Sequence, residues 1–390
     1  MRFWSRVCLL GVLQCPPSGW GRLPWFLLRA VLAATLMTQA VAFIRTLPNY
    51  PISSILFMAI QACQHFSLLQ FLLPALSFRA GAFPRALNIM ARTQALPVFA
   101  DLRLERPKFR LKLIYIIAVK TFLFMIVLHV VGGLLAVRHQ REIGDDVSRF
   151  SLFPPVVRAE SVVVHSLLVL LQFVHLVSVY GANLLSVSTV HSINVFLYSH
   201  LTHLSRHVSK LLTRRRAASG AVWNAANSDQ GANVRPWNEL LEAHSLLWDL
   251  QHELQISFNE CGVLTHLAGL LDMCLTSYIC IRVTSQYGMD WMTTLVCFGF
   301  MLPSGICILF ESKSVDIVRN ANAAIFRSNY GSSWSDLHPR ELELANILMQ
   351  RSREPMQLTA IDLFDISMRN FGAVVSLTVT YVIILIQFNS

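Results

Sequence analysis

The residues whose types and spacing suggest chemistry lie in the last apolar run of the 390-residue chain. Leu377, Thr380, Ile384 and Gln387 recur at steps of three, four and three, so a helix puts a hydroxyl, a carboxamide and two aliphatic groups on one face. Polar side chains within a bilayer are costly and turn toward protein or water. Such a stripe either glues helices together or, ringed around an axis, wets a pore that Ile384 would close by an apolar collar. On the residues alone both uses stay open. His200, His203 and His207 have the spacing of one helix face, but no Cys, Asp or Glu lies among them to complete a metal site, and a wet helix flank is expected. No P-loop, dinucleotide glycine fingerprint, H-E-x-x-H or G-x-S-x-G occurs, so the chain is not expected to be an enzyme or to hold a cofactor or metal.

Composition says what must position these groups. Asp, Glu, Lys and Arg make up 14% of the chain, hydrophobic residues 54%, and mean hydropathy is +0.51. Soluble domains carry about 25% charged residues. An all-α polytopic membrane protein is the class that fits. Seven stretches reach the roughly 20 apolar residues that a spanning helix needs: 23–43, 52–76, 113–137, 161–185, 263–284, 291–310 and 371–388. The first fourteen residues have a basic and then an apolar part, yet no small-residue cleavage site follows, and no signal peptide is expected. The eight cysteines form no C-x-x-C pair, so neither disulfides nor structural zinc is expected. Asp272 is the one acid deep in an expected span, and Lys120 in the third is placed to snorkel to the cytoplasm.

Basic residues fix the orientation. The amino-terminal tail and the segments 79–112, 200–262 and 311–370 hold three, eight, six and seven of them; the loops on the other side hold one, four and one. Lys and Arg collect on the cytoplasmic side, which puts the amino terminus inside and the carboxyl terminus outside. G-protein-coupled receptors run the other way, and neither D-R-Y nor N-P-x-x-Y is present. The net charge of +10 comes from these scattered loop residues, not from a basic face with interleaved aromatics, so no nucleic acid is expected as a partner. The bilayer is. Four acids at 142, 145, 146 and 160 belong to an outer loop and read as solvated, or as a weak attractor of cations.

The cytoplasmic segments are substantial. Val195 to Leu212 carry helical periodicity beyond the fourth span, 217–235 is a flexible linker, and a further helix over 236–259 sets Leu240, Leu241, Leu247, Leu250 and Leu254 on one face. The sixth span continues as helix to about position 326, and Pro339 with Glu341 opens an amphipathic helix to 350. The chain thus divides into a tail (1–22), spans one to four with their loops (23–199), a cytoplasmic helical loop (200–262), spans five and six (263–311), a cytoplasmic anchor (312–370) and a last span (371–390).

That last span contains Thr380-Tyr381, five hydrophobic residues, then Gln387-Phe388. The pattern resembles the signature of the insect gustatory receptors, as do the seven spans, the inward amino terminus and the long fourth and sixth helices. The resemblance implies a tastant-gated, weakly selective cation channel in the plasma membrane of chemosensory neurons. It implies a homo- or heterotetramer with other gustatory receptors, whose seventh helices line a central pore. Leu377, Thr380 and Ile384 would then face the pore, Gln387 and Phe388 would form its outer gate, and Tyr381 would be structural.

It also implies a pocket for a small-molecule tastant in the outer half of helices two to six. The side chains that fall there are Gln61, Gln64, His129, His165, Gln172, Phe173, Tyr278, Thr294 and Phe298. Each alone reads equally as interhelical glue. Two other functions fit the layout: a secondary transporter, although Gly132-Gly133 has no counterpart in another span, and a non-conducting partner subunit of a heteromeric chemoreceptor.

Overall fold

A computed structural model describes residues 82–102, 190–214, 234–287, 291–331, 337–360 and 364–389, with positions 120 and 127 each helical. The expected spans 23–43, 52–76 and 161–185, and all of 113–137 but those two positions, lie outside the described residues. Among the described residues no helix is long and apolar enough to cross a membrane.

The described part is mostly helical. Helix α1 (Ala82–Ala95) is followed by a 3-10 turn, Pro97–Phe99; α2 covers 190–214. Then come α3 (Arg235–Tyr287), α4 (Trp291–Tyr330), α5 (Pro339–Arg353), a pair of two-residue strands, β1 (Thr359–Ala360) and β2 (Phe364–Asp365), and α6 (Met368–Asn389). The strands pair antiparallel, Thr359 with Asp365 and Ala360 with Phe364.

Periodicity explains the packing. Helix α2 buries Ile193, Leu197, Leu201, Leu204, Val208 and Leu212, and α3 buries Trp237, Leu240, Leu247, Leu250, Leu254 and Phe258. Both rows keep steps of three, four or seven, one side of a helix. With Val315, Val318 and Ile325 of α4, Leu348 of α5, and Met356 and Leu358 beyond it, they form one core. Each such side chain contributes about 1.5–3 kcal/mol on burial. The helix α5 starts as its sequence suggests. Pro339 takes the first position, the backbone N–H of His338 donates to Glu341 Oε2 at 3.3 Å, and His338 Nδ1 accepts from Arg340 N–H.

Two expectations are corrected. The helix expected over 236–259 and the span expected over 263–284 are one unbroken helix of 53 residues, about 80 Å long. Between the two stretches lies Gly262, a buried glycine whose carbonyl accepts from His266 Nδ1–H at 2.9 Å, and a Cβ there would meet the Phe258 ring at 2.3 Å. Nor is His200 on a wet flank. It is fully buried, stacked on Phe196 with ring centroids 3.8 Å apart and edge-on to Phe99 at 4.7 Å; its Nδ1–H donates to Phe196 O at 2.8 Å. His203 Nε2–H donates to Val98 O at 3.1 Å, so this row of histidines holds the Pro97–Phe99 turn against α2.

Candidate functional site

Helix α6 carries the stripe from which the functional reading began. One side of it packs on its own chain: Thr378 is buried, and Phe371, Val374 and Val382 are half-buried, at steps of three, four and four. Thr378 Oγ1 donates to Val374 O at 2.9 Å and lies 3.8 Å from Cys274 Sγ of α3. Leu377, Thr380, Ile384 and Gln387 are exposed on another side. At 100° per residue the centres of the two rows are about 145° apart, nearly opposite. The structure therefore brings the four stripe residues together on a face that their own bundle leaves uncovered. Thr380 Oγ1 donates to Ser376 O at 2.9 Å, which leaves its oxygen able to accept from water. Tyr381 stands on the flank of this face, 52% exposed. Phe388 is helical, and its side chain lies outside the described residues.

The start of α6 is fixed by side chains. Ser367 Oγ accepts from Asn370 N–H at 3.3 Å, and Asp316 Oδ2 of α4 accepts from Met368 N–H at 2.9 Å. These satisfy backbone donors that a helix N-terminus leaves open.

Of the nine pocket candidates, Gln61, Gln64, His129, His165, Gln172 and Phe173 lie outside the described residues. Thr294 and Phe298 belong to α4 but their side chains are not described. Tyr278 is on α3 and half-buried. Lys120 is exposed. Among the described residues no group of His, Cys, Asp and Glu is arranged to hold a metal.

Sequence reasoning missed a polar layer where α2, α3 and α4 meet. Glu311 is 1% exposed, with Oε2 3.8 Å from His266 Nδ1 of α3. Next to it, Asn194 Nδ2 of α2 donates to Ser314 Oγ at 2.9 Å, and Ser314 Oγ donates to Glu311 O at 2.9 Å. The signal was available: Glu311 follows the sixth apolar run without a spacer. A cleft of about 400 Å³ lies between α3 and α5, lined by Ser245, Trp248, Gln350, Arg351 and Glu354.

Comparison with known proteins supplies the family. The model of the 7tm Chemosensory receptor family matches residues 2–390. The olfactory receptor OR5 of Machilis hrabei has a similar fold. In complex with eugenol it superposes with a TM-score of 0.78 at 12% identity, over 99% of this chain and 98% of that one. A second structure of OR5 gives 0.76 at 11%, with the same coverage. No curated protein matches the sequence. The resemblance noted at residues 380–388 is borne out at the level of the chemosensory receptor family. With a family match from residue 2 to residue 390, the chain belongs to the seven-transmembrane chemosensory receptor family, whose members are multi-pass membrane receptors and not enzymes.

Proposed function

We propose that the chain is a gustatory receptor acting as a tastant-gated, weakly selective cation channel. Four copies, alike or mixed with other gustatory receptors, surround a pore lined by α6 in the plasma membrane of chemosensory neurons. The observation that carries this reading is the uncovered face of α6. Leu377, Thr380, Ile384 and Gln387 point away from the row that packs on the rest of the chain, so an exposed polar and aliphatic stripe faces outward from it. Thr380 and Gln387 give partly hydrated ions hydrogen-bonding groups, and Ile384 between them forms the constriction. The motif Thr380-Tyr381…Gln387-Phe388 favours a gustatory over an olfactory assignment.

The ligand pocket in this reading lies in the outer half of helices two to six, near Tyr278, Thr294 and Phe298. That OR5 was solved in complex with eugenol supports a small organic molecule as the ligand class. Ligand opens the channel by binding the open state more tightly than the closed one.

The test is expression of this chain alone in cells, with patch-clamp recording during application of sucrose, caffeine, dissolved carbon dioxide and eugenol. Unitary current steps that Gln387→Ala alters in size are expected. Gln387→Ala channels with parental conductance and gating would remove α6 from the pore. Saturating flux that needs an ion gradient and lacks unitary steps would indicate a transporter. Silence alone, with current when a second gustatory receptor is added, would indicate a non-conducting partner subunit.

A further inference from the structure

The chain entering α6 is hydrogen-bonded to two other helices before the helix begins. Gln255 of α3 clasps Thr359: its Nε2 donates to Thr359 O and Oγ1, each at 2.9 Å, and its Oε1 accepts Thr359 N–H at 2.9 Å. Gln251 Nε2 donates to Gln357 O at 3.0 Å. Helix α4 continues the clasp. Arg319 Nη2 donates to Gln357 Oε1 and to Asp365 Oδ2, each at 3.4 Å, and Asn370 Nδ2 donates back to Asp365 O. Then Asp316, 52 residues away in sequence, caps Met368, the first residue of α6.

Three features separate this cap from an ordinary packing contact. First, α6 has no acid in its own first turn, so the carboxylate that its N-terminus favours comes from another helix. Second, the groups are partly solvated. Side-chain exposures are 25% for Asp316, 30% for Arg319 and 45% for Asp365. Solvated ion pairs and caps break at small cost compared with buried apolar contacts. Third, α4 runs without interruption from Trp291 to Tyr330, so the helix that supplies the cap also carries Thr294 and Phe298 of the proposed pocket.

We infer that Asp316, steadied by Arg319 at 3.8 Å, is a positioning residue for gating: it fastens the start of α6 to α4, so that movement of α4 reaches the pore face of α6. This rests on the channel reading above. A cap that must be broken or carried along for α6 to move sets the closed-to-open equilibrium without touching ions or ligand.

The experiment uses the full chain in excised patches, with spontaneous openings in ligand-free solution as the probe and surface labelling as the control for folding. Asp316→Ala changes open probability about five-fold or more, within the range of ordinary coupling between sites, with unitary conductance unchanged. Asp316→Asn keeps an oxygen for Met368 N–H and stays within about two-fold of the parent. Arg319→Gln, which loosens the carboxylate without removing it, falls between them and decides the matter should Asp316→Ala fail to reach the surface. Parental open probability in Asp316→Ala, or in Arg319→Gln in its place, overturns the inference. So does an altered unitary conductance, which would place Asp316 in the ion path. A parent chain that never opens, alone or with a second gustatory receptor, overturns the channel reading, and this inference goes with it; a parent that opens normally beside an unaffected Asp316→Ala overturns the inference alone.

Discussion

His244 of α3 donates its Nε2–H to Asn322 Oδ1 of α4 at 3.0 Å, and both side chains are fully buried. Asn322 Nδ2 then donates to Ser352 O at 3.2 Å and Glu354 O at 2.8 Å, where α5 ends. One carboxamide thus serves three elements and satisfies carbonyls that the C-terminus of α5 leaves open. Asn322→Ala strands these partners in the core and costs about 3 kcal/mol. Thermal unfolding of the detergent-purified chain checks this, with Asn320→Ala, exposed on the same helix, as a control that leaves the midpoint unchanged.

The buried histidines are expected to make the helical bundle acid-sensitive. Burial pushes His244 down to about 4 from its ordinary 6.5, against a smaller opposing effect of the Asn322 hydrogen bond, and pushes His200 down to about 4 in the same way. Each imidazole is neutral when folded, while the unfolded chain protonates near pH 6.5. The stability of the neutral form is therefore complete above about pH 6.5 and is lost as pH falls from there toward 4, by up to about 3 kcal/mol for each group. Unfolding midpoints between pH 7.5 and 4.5 should fall steeply for the parent and less steeply for His200→Gln and His244→Gln. Equal slopes would mean that the two sites do not control the loss.

Much of the bundle was legible because helical burial repeats along a single segment. The rows Leu201-Leu204-Val208 and Leu240-Leu247-Leu250 state their own periodicity, and Pro339 with Glu341 states a helix start. The stripe on α6 was legible for the same reason. What could not be seen depends on partners far away in sequence. His200 looks like a wet histidine until Phe99 and Phe196 close over it. The sequence changes at about 260 from an amphipathic to an apolar pattern, which reads as two elements, whereas one helix carries both patterns. Strands of two residues are too short to alternate, so β1 and β2 leave no pattern. The Asp316 cap joins positions that no local rule connects. As for the pocket, six of its nine candidates lie outside the described residues.

The capping box of α5 supports the helix that seals the core with Leu348. Glu341 is 2% exposed and accepts from His338 N–H, so its carboxylate also offsets the positive end of the helix. Glu341→Ala is expected to cost about 1 kcal/mol and Glu341→Gln less than half of that. Denaturation of the purified chain, followed by circular dichroism, measures both. Equal losses would show that the charge, and not the acceptor, matters.

The face of α6 gives a directional prediction for the proposed channel. Ile384 is 40% exposed and sits between the hydroxyl of Thr380 and the carboxamide of Gln387 on that face. In the proposed tetramer, four copies around an axis would place four such side chains at one level, and an apolar ring excludes water until it widens. Ile384→Ser removes the methyl groups that keep the ring dry and adds a hydroxyl that wets it, so spontaneous current is expected to rise about ten-fold, equivalent to about 1.4 kcal/mol in the opening equilibrium. Val379 provides the matched control. It is 53% exposed, yet about 120° around the helix from the stripe, so Val379→Ser leaves basal current unchanged. Whole-cell recording at equal surface expression separates the two. A rise in Val379→Ser without one in Ile384→Ser would mean that α6 turns its other side to the pore.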